Sequence, residues 1–200
     1  MEYIIWVIIG YFSGSILFGY LVPKMLVGID VRKVSDDGNP GAFNAIQHAG
    51  KAIGYLVVLL DVLKGAIPIY LASKVLDTNN LLFALVIVAP VIGHGFSCFS
   101  KFKGGKCLAT ACGIMVGLLP RLIPILTVCL VYIILSKLIV VTPHFCRIII
   151  TFSCAIVTAF VFERTLSIKL GIALVSSVVI KKHVRKMDDL KLRVTYPYLK

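Results

Sequence analysis

The chain has 200 residues, 59% of them hydrophobic and 15% charged, with a mean hydropathy of +0.98, whereas soluble domains run at about 45–50% apolar and about 25% charged. That surplus excludes a water-soluble globule, a disordered chain and a disulfide-rich secreted module, and leaves lipid as the solvent of a single membrane-embedded domain, residues 1–200. The 21 Lys and Arg against 9 Asp and Glu stand between apolar runs or in the tail, with no recognition module, so nucleic acid is not an expected partner.

A hydrocarbon core takes roughly 20 apolar residues per helix, and lipid offers no partner to an unpaired backbone amide, so every span is expected to be helical. The first predicted span is 3–22; it lacks a basic leader and a small-residue cleavage site, and reads as a retained span rather than a signal peptide. The second, 52–73, carries Asp61 and Lys64 three residues apart on one face. Charges inside a membrane helix cost several kcal/mol unless paired or facing a polar cavity, so the two are expected to pair, or, in the stronger version, to border a hydrated site. The third span, 81–99, ends near His94. The fourth, 108–120, is short for a crossing, and Pro120 and Pro124 punctuate its junction with 122–140; spans at 145–162 and 165–181 follow. The fold class is therefore an all-α polytopic bundle of about seven transmembrane helices, with five or six as alternatives.

Orientation follows the cations. With the N-terminus outside, the inner segments 23–51, 100–107, 137–147 and 181–200 hold sixteen Lys and Arg, and the outer ones only Lys74, Arg121, Arg164 and Lys169. The C-terminus is thus expected in the cytosol, with every polar loop of interest facing the same compartment. Glu163 and Arg164 read as a solvent-side pair in an outer loop. The six cysteines include no C-x-x-C pair and lie in or beside apolar stretches, as small reduced hydrophobes do. His48 and His144 have no informative context.

Two inner loops carry the chemistry. The first, IDVRKVSDDGNPGAFNAIQHAGK, joins Arg32, Ser35, Asp36, Asp37, Gly38, Asn39, Gly41 and Asn44. Its glycines allow close backbone approach to a ligand and its amides donate or accept; a solvated linker with a turn at Asp-Gly-Asn-Pro is the plainer alternative. The second, HGFSCFSKFKGGKCLAT, places Lys103, Gly104, Gly105 and Lys106 before a helix expected to begin near Cys107. A glycine-rich turn entering a helix N-terminus offers free N–H groups and a positive dipole end to an anion. It is not a Walker loop, since neither the G-x-x-x-x-G-K-[ST] pattern nor a preceding strand is present. His94 and His183 are candidates for bonding a phosphate or carrying a proton.

Four ordered motifs make the chain resemble the acyl-phosphate-dependent glycerol-3-phosphate acyltransferases of bacterial membranes, the PlsY type. GSILFGYLV at 14–22 is similar to the family's Gly-Ser-Ile-Pro-Phe-Gly, with Leu17 for proline. DVRKVSDDGNPGAFNA resembles Asp-Ile-Arg followed by Ser-Gly-Asn-x-Gly-Ala-Thr-Asn, with Asp36-Asp37 for Gly-Ser, one extra residue, the serine absent or shifted to Ser35, and Phe43 for threonine. LLDVLKGAIP matches an Asp-x-x-Lys-Gly helix, and the second loop resembles His-x-Phe-Pro then Phe-Lys-Gly-Gly-Lys-Gly-x-Ala-Thr, with Ser97 for proline and Cys107 for glycine. In the family's His-x-x-Asn-Ile motif His183 fits, while Lys186 takes the Asn position and no matching Glu follows. The chain is identified as a divergent member.

The resemblance implies acyl transfer from acyl phosphate to the 1-hydroxyl of glycerol 3-phosphate, giving lysophosphatidic acid for phospholipid synthesis without metal, acyl-CoA or other cofactor. It implies a bacterial inner membrane location with the active site on the cytoplasmic side; the partners are the two substrates and membrane lipid. Arg32, Ser35, Asp36, Asp37, Asn39, Asn44 and His183 are the expected catalytic set. Ser15, Gly38, Gly41, His94, Lys103, Gly104, Gly105, Lys106 and Thr110 are expected to bind substrate, with Gly104, Gly105, Lys103 and Lys106 on glycerol phosphate and Arg32 with the loop 35–44 on acyl phosphate. The attacking hydroxyl's proton passes to a substrate phosphate oxygen, or to Asp36 or Asp37. An inactive relative binding phosphorylated lipid ligands, and a small transporter, are the rival readings.

Overall fold

The computed structural model describes residues 1–184 and 193–195. The first predicted span is two helices, α1 (Glu2–Ser15) and α2 (Phe18–Val27), bent by 42° at the break between them. A break in lipid strands carbonyls that water cannot reach, and here other helices supply the donors. The Ser97 hydroxyl donates to the Ser15 carbonyl at 2.6 Å, and the Lys64 ammonium to that of Ile16 at 2.6 Å.

The polar stretch after α2 forms a single turn, α3 (Val31–Val34), and then α4 (Ala42–Ala49). Two long apolar helices follow: α5 (Lys51–Val75), and α6 (Phe83–Gly95), which continues into a 3₁₀ turn at Cys98–Ser100. The fourth and fifth predicted spans are α7 (Leu108–Gly117) and α8 (Ile123–Ile133), the latter running into a π-helical turn at Ile134–Leu138. Last come α9 (His144–Phe162) and α10 (Leu166–His183). All seven predicted segments are helical. Among the described residues, three helices are long and apolar enough to cross a membrane, or four if α1 and α2 form one span. The ten residues of α7 rise only about 15 Å.

The all-α expectation needs one amendment. Val140–Thr142 (β1) pairs antiparallel with Arg193–Thr195 (β2). Pro143 pushes the residue before it toward extended geometry, and β-branched neighbours suit a strand.

α6 is central, packing on α1 along one side and on α10 along another. Small residues let these backbones meet, the usual device where lipid removes the hydrophobic drive between helices. A methyl at Gly14 would fall on the Pro90 carbonyl, and α5 meets α7 in the same way through Gly65, Gly113 and Gly117. Around this contact Phe83, Ile87, Ile114, Met115, Ile148, Phe152 and Ile172 are fully buried.

Polar groups gather at the two ends of the bundle. At one end Tyr3 Oη donates to the Asp77 carbonyl, Ser167 Oγ to that of Thr78, and Arg121 faces Glu163 at 3.7 Å. The expected Glu163–Arg164 pair is therefore replaced: the chain leaves α9 extended at Glu163, which turns inward to Arg121, while Arg164 stays exposed. The other end holds the α3–α4 loop, the loop before α7, the start of α9 and the end of α10.

Candidate active site

That second end encloses a cavity of about 730 Å³. One wall is built by the α3–α4 loop and α4, with Asp36, Asp37, Asn39, Gly41, Asn44 and Gln47. Its floor has Asp61 and His94, and Lys106 to Ala109 enter at the start of α7. Tyr132, His144, Arg147 and His183 bring in α8, α9 and α10. All four histidines of the chain, His48, His94, His144 and His183, line this one space.

The α3–α4 loop is shaped by its own carboxylate. Asp37 Oδ1 accepts from the Asn44 amide at 2.8 Å and from the Asn39 N–H at 3.1 Å, and Oδ2 accepts from Lys106 Nζ at 2.7 Å. Burial raises the Asp37 carboxyl, but the bonds from Lys106, Asn44 and Asn39 outweigh it and hold it at about 2. Because that value lies below the ordinary 3.8, the ionised form favours the fold. Its contribution is complete above the unfolded value and disappears as pH falls toward the folded one. Asp37→Asn is expected to lower stability by about 1–2 kcal/mol at neutral pH, with the gap to wild type closing near pH ~2; unfolding in denaturant across pH measures it.

Asp61 and Lys64 pair at 2.7 Å, both almost fully buried, and His94 Nδ1 lies 3.9 Å from the same carboxylate oxygen. The expected pair is formed, and because Asp61 lines the cavity it also borders the site.

The lysine-glycine loop differs from expectation in its donors. The Gly105 N–H donates to the His94 carbonyl at 3.0 Å, and a methyl on Gly105 would strike His94 Nε2. The two glycines thus press the loop onto His94, and neither lines the cavity. The Lys103 N–H is taken by the Ser100 carbonyl and its side chain is exposed. Lys106 does reach the cavity, beside Leu108 and Ala109 in the first turn of α7, whose amides have no carbonyl within the helix. Cys107, where the family has glycine, is left-handed at φ 69° and caps this helix.

Other expected residues lie outside the lining. Arg32 forks onto Asp30 with two bonds of 2.9 Å, its guanidinium 3.5 Å from the Tyr20 ring centre. The bond to Asp30 raises Arg32 and lowers Asp30 from their ordinary values. Ser35 Oγ donates to the Val31 carbonyl; Gly38 makes a left-handed turn at φ 59°. Ser15 and Thr110 are buried with hydroxyls that have no partner among the described residues. Lys186 lies outside the described residues. Conversely, sequence reasoning overlooked Tyr132, His144 and Arg147; an arginine in the first turn of an apolar helix was the available signal for the last.

A family model described as glycerol-3-phosphate acyltransferase matches residues 4–192. A glycerol-3-phosphate acyltransferase of Thermotoga petrophila is 50% identical over 108 residues, 54% of this chain and 54% of the relative. One from Myxococcus xanthus is 43% identical over 115 residues, 58% of this chain and 59% of the relative. The chain thus spans about half the length of the curated relatives it matches. The crystal structure of PlsY (YgiH), an integral membrane glycerol 3-phosphate acyltransferase, in its glycerol 3-phosphate form superposes with a TM-score of 0.79 at 32% identity, over 92% of this chain and 88% of that one. Its lysophosphatidic acid form gives 0.78 and 31% over the same shares.

Proposed function

This chain belongs to the glycerol-3-phosphate acyltransferase family, and we propose that it transfers a fatty acyl group from acyl phosphate to the 1-hydroxyl of glycerol 3-phosphate. The products are lysophosphatidic acid and inorganic phosphate. The observation that carries the reading is the single cavity in which Asp37, Asn39, Asn44, His94, Lys106 and His183 converge from motifs far apart in sequence.

In this reading Lys106 and the first-turn amides of α7 hold the phosphate of glycerol 3-phosphate, by charge and by the helix dipole. Asn39, Asn44 and His94 offer hydrogen bonds to its hydroxyls and to the acyl carbonyl oxygen as negative charge develops there. The hydroxyl oxygen attacks the carbonyl carbon, a new C–O ester bond forms, and the C–O bond to phosphate breaks with its electron pair leaving on phosphate. A carboxyl held at about 2 by three donors is a poor proton acceptor. This supports a phosphate oxygen of a substrate as the acceptor of the hydroxyl proton, with the protein supplying position.

The proposed setting is one domain over residues 1–200 in a bacterial inner membrane, with seven spans, N-terminus outside and C-terminus and cavity facing the cytosol. The excess of cations in the segments that build the cavity end supports that orientation. Purified chain incubated with palmitoyl phosphate and labelled glycerol 3-phosphate is expected to yield labelled lysophosphatidic acid and an equal amount of phosphate. The Asp37 carboxylate on Lys106 favours one competing reading, an inactive relative that binds phosphorylated lipid; saturable binding of both substrates without product would select it.

A further inference from the structure

We propose that Arg147 holds the phosphate of the acyl donor, in an anion subsite completed by the N-terminal end of α9, where the Cys146 N–H is already taken by the Pro143 carbonyl, and by protonated His183. The assignment rests on the acyl-transfer reading and deepens it.

The reaction brings two phosphorylated molecules into one cavity, and among the described lining residues the permanent cations are Lys106 and Arg147. Arg32, expected from sequence to hold the acyl phosphate, is spent on Asp30 and the Tyr20 ring and does not line the space. Arg147 stands in the first turn of α9, a helix of 19 residues with no side-chain cap at its N-terminus. Its Nε is buried without a hydrogen-bond partner among the described residues. Lining the same cavity is His183, 5% exposed, whose Nδ1 donates to the Val179 carbonyl at 2.8 Å and whose buried Nε2 has no partner among the described residues. A helix N-terminus, a guanidinium whose Nε has no partner among the described residues and an imidazole, all at one cavity, make an environment that an anion would complete, with His183 donating from Nε2 in its protonated form.

The chemistry of the walls decides which phosphate goes where. Lys106 is bonded to Asp37, which in turn holds Asn39 and Asn44, so its wall carries short polar groups suited to a small hydroxylated substrate. Arg147 belongs to the α8–α9 wall, whose outer face presents Leu130, Ile133, Ile150 and Val157 exposed toward the surroundings. An alkyl chain attached to a phosphate at Arg147 passes from there into hydrocarbon. A planar guanidinium, always charged, is the better match to a phosphate held at that boundary.

The test compares Arg147→Gln and Arg147→Lys with wild type in full-length protein, varying palmitoyl phosphate and glycerol 3-phosphate separately. Arg147→Gln is expected to raise KM for palmitoyl phosphate about tenfold while KM for glycerol 3-phosphate stays within about twofold; Arg147→Lys recovers part of the loss. A rise in the glycerol 3-phosphate KM alone, or no change in either, overturns the assignment. Should Arg147→Gln not fold, Arg147→Lys decides: about a threefold rise in the same KM supports the subsite, and an unchanged KM rejects it. If wild type makes no product, the acyl-transfer reading has failed separately. Calorimetric titration with palmitoyl phosphate then decides for Arg147, by weaker binding in Arg147→Gln or by equal binding.

Discussion

Replacing Lys64 by methionine is expected to destabilise the protein by about 3–5 kcal/mol, the range for removing one partner of a buried ion pair. Its ammonium serves two buried acceptors at once, Asp61 at 2.7 Å and the carbonyl of Ile16 at 2.6 Å. Losing it strands a carboxylate that is 2% exposed and a backbone carbonyl at the break between α1 and α2. Adding Asp61→Asn to Lys64→Met removes the stranded charge and is expected to restore roughly half of the loss, leaving the carbonyl unserved. Thermal unfolding in detergent compares the three proteins. A Lys64→Met variant within about 1 kcal/mol of wild type would show that the ammonium is not what closes the break.

Lys106→Ala is expected to have the largest effect on catalysis. A charge-assisted bond to phosphate contributes about 1.5–3 kcal/mol, which converts to a rise of roughly 10- to 150-fold in KM for glycerol 3-phosphate. The KM for acyl phosphate is expected to change little. Lys103→Ala is the control, because that side chain is exposed and absent from the cavity lining; its kinetics should stay within about twofold of wild type. Equal effects from the two lysines would return the phosphate to the glycine turn and away from the start of α7. Lys106→Ala also frees Asp37 from its strongest hydrogen bond, so the stability of this variant is measured beside its kinetics.

Hydropathy carried most of the fold: each apolar run became a helix, since lipid permits little else. The break at Ser15–Leu17 was not legible. No proline marks it, and the groups that make it tolerable, Lys64 and Ser97, lie 48 and 82 residues further along the chain. Helix length was overestimated for the same reason in α7, where apolar residues continue past Gly117 into a turn.

The site divides along similar lines. Lys106, Asp37, Asn39, Asn44, His94 and His183 were readable because charged and amide side chains between apolar runs are conspicuous, and the cavity gathers them. A glycine-rich turn before a helix marks Gly104 and Gly105 as amide donors. Only the packing shows that their missing side chains make room for His94. Sequence places Arg32 on the acyl phosphate, yet Asp30 two residues before it takes the fork. In IVVTPHFCRIII the arginine at the start of an apolar run is a signal, but nothing local says that the helix start faces a cavity.

The gathering of His48, His94, His144 and His183 around one space makes the imidazole a natural reporter. Isotopic labelling of histidine alone places every nuclear magnetic resonance probe at this cavity, with no engineered tag. Titrating in glycerol 3-phosphate or palmitoyl phosphate, the proposed substrates, then reads occupancy and tautomer from four histidine signals.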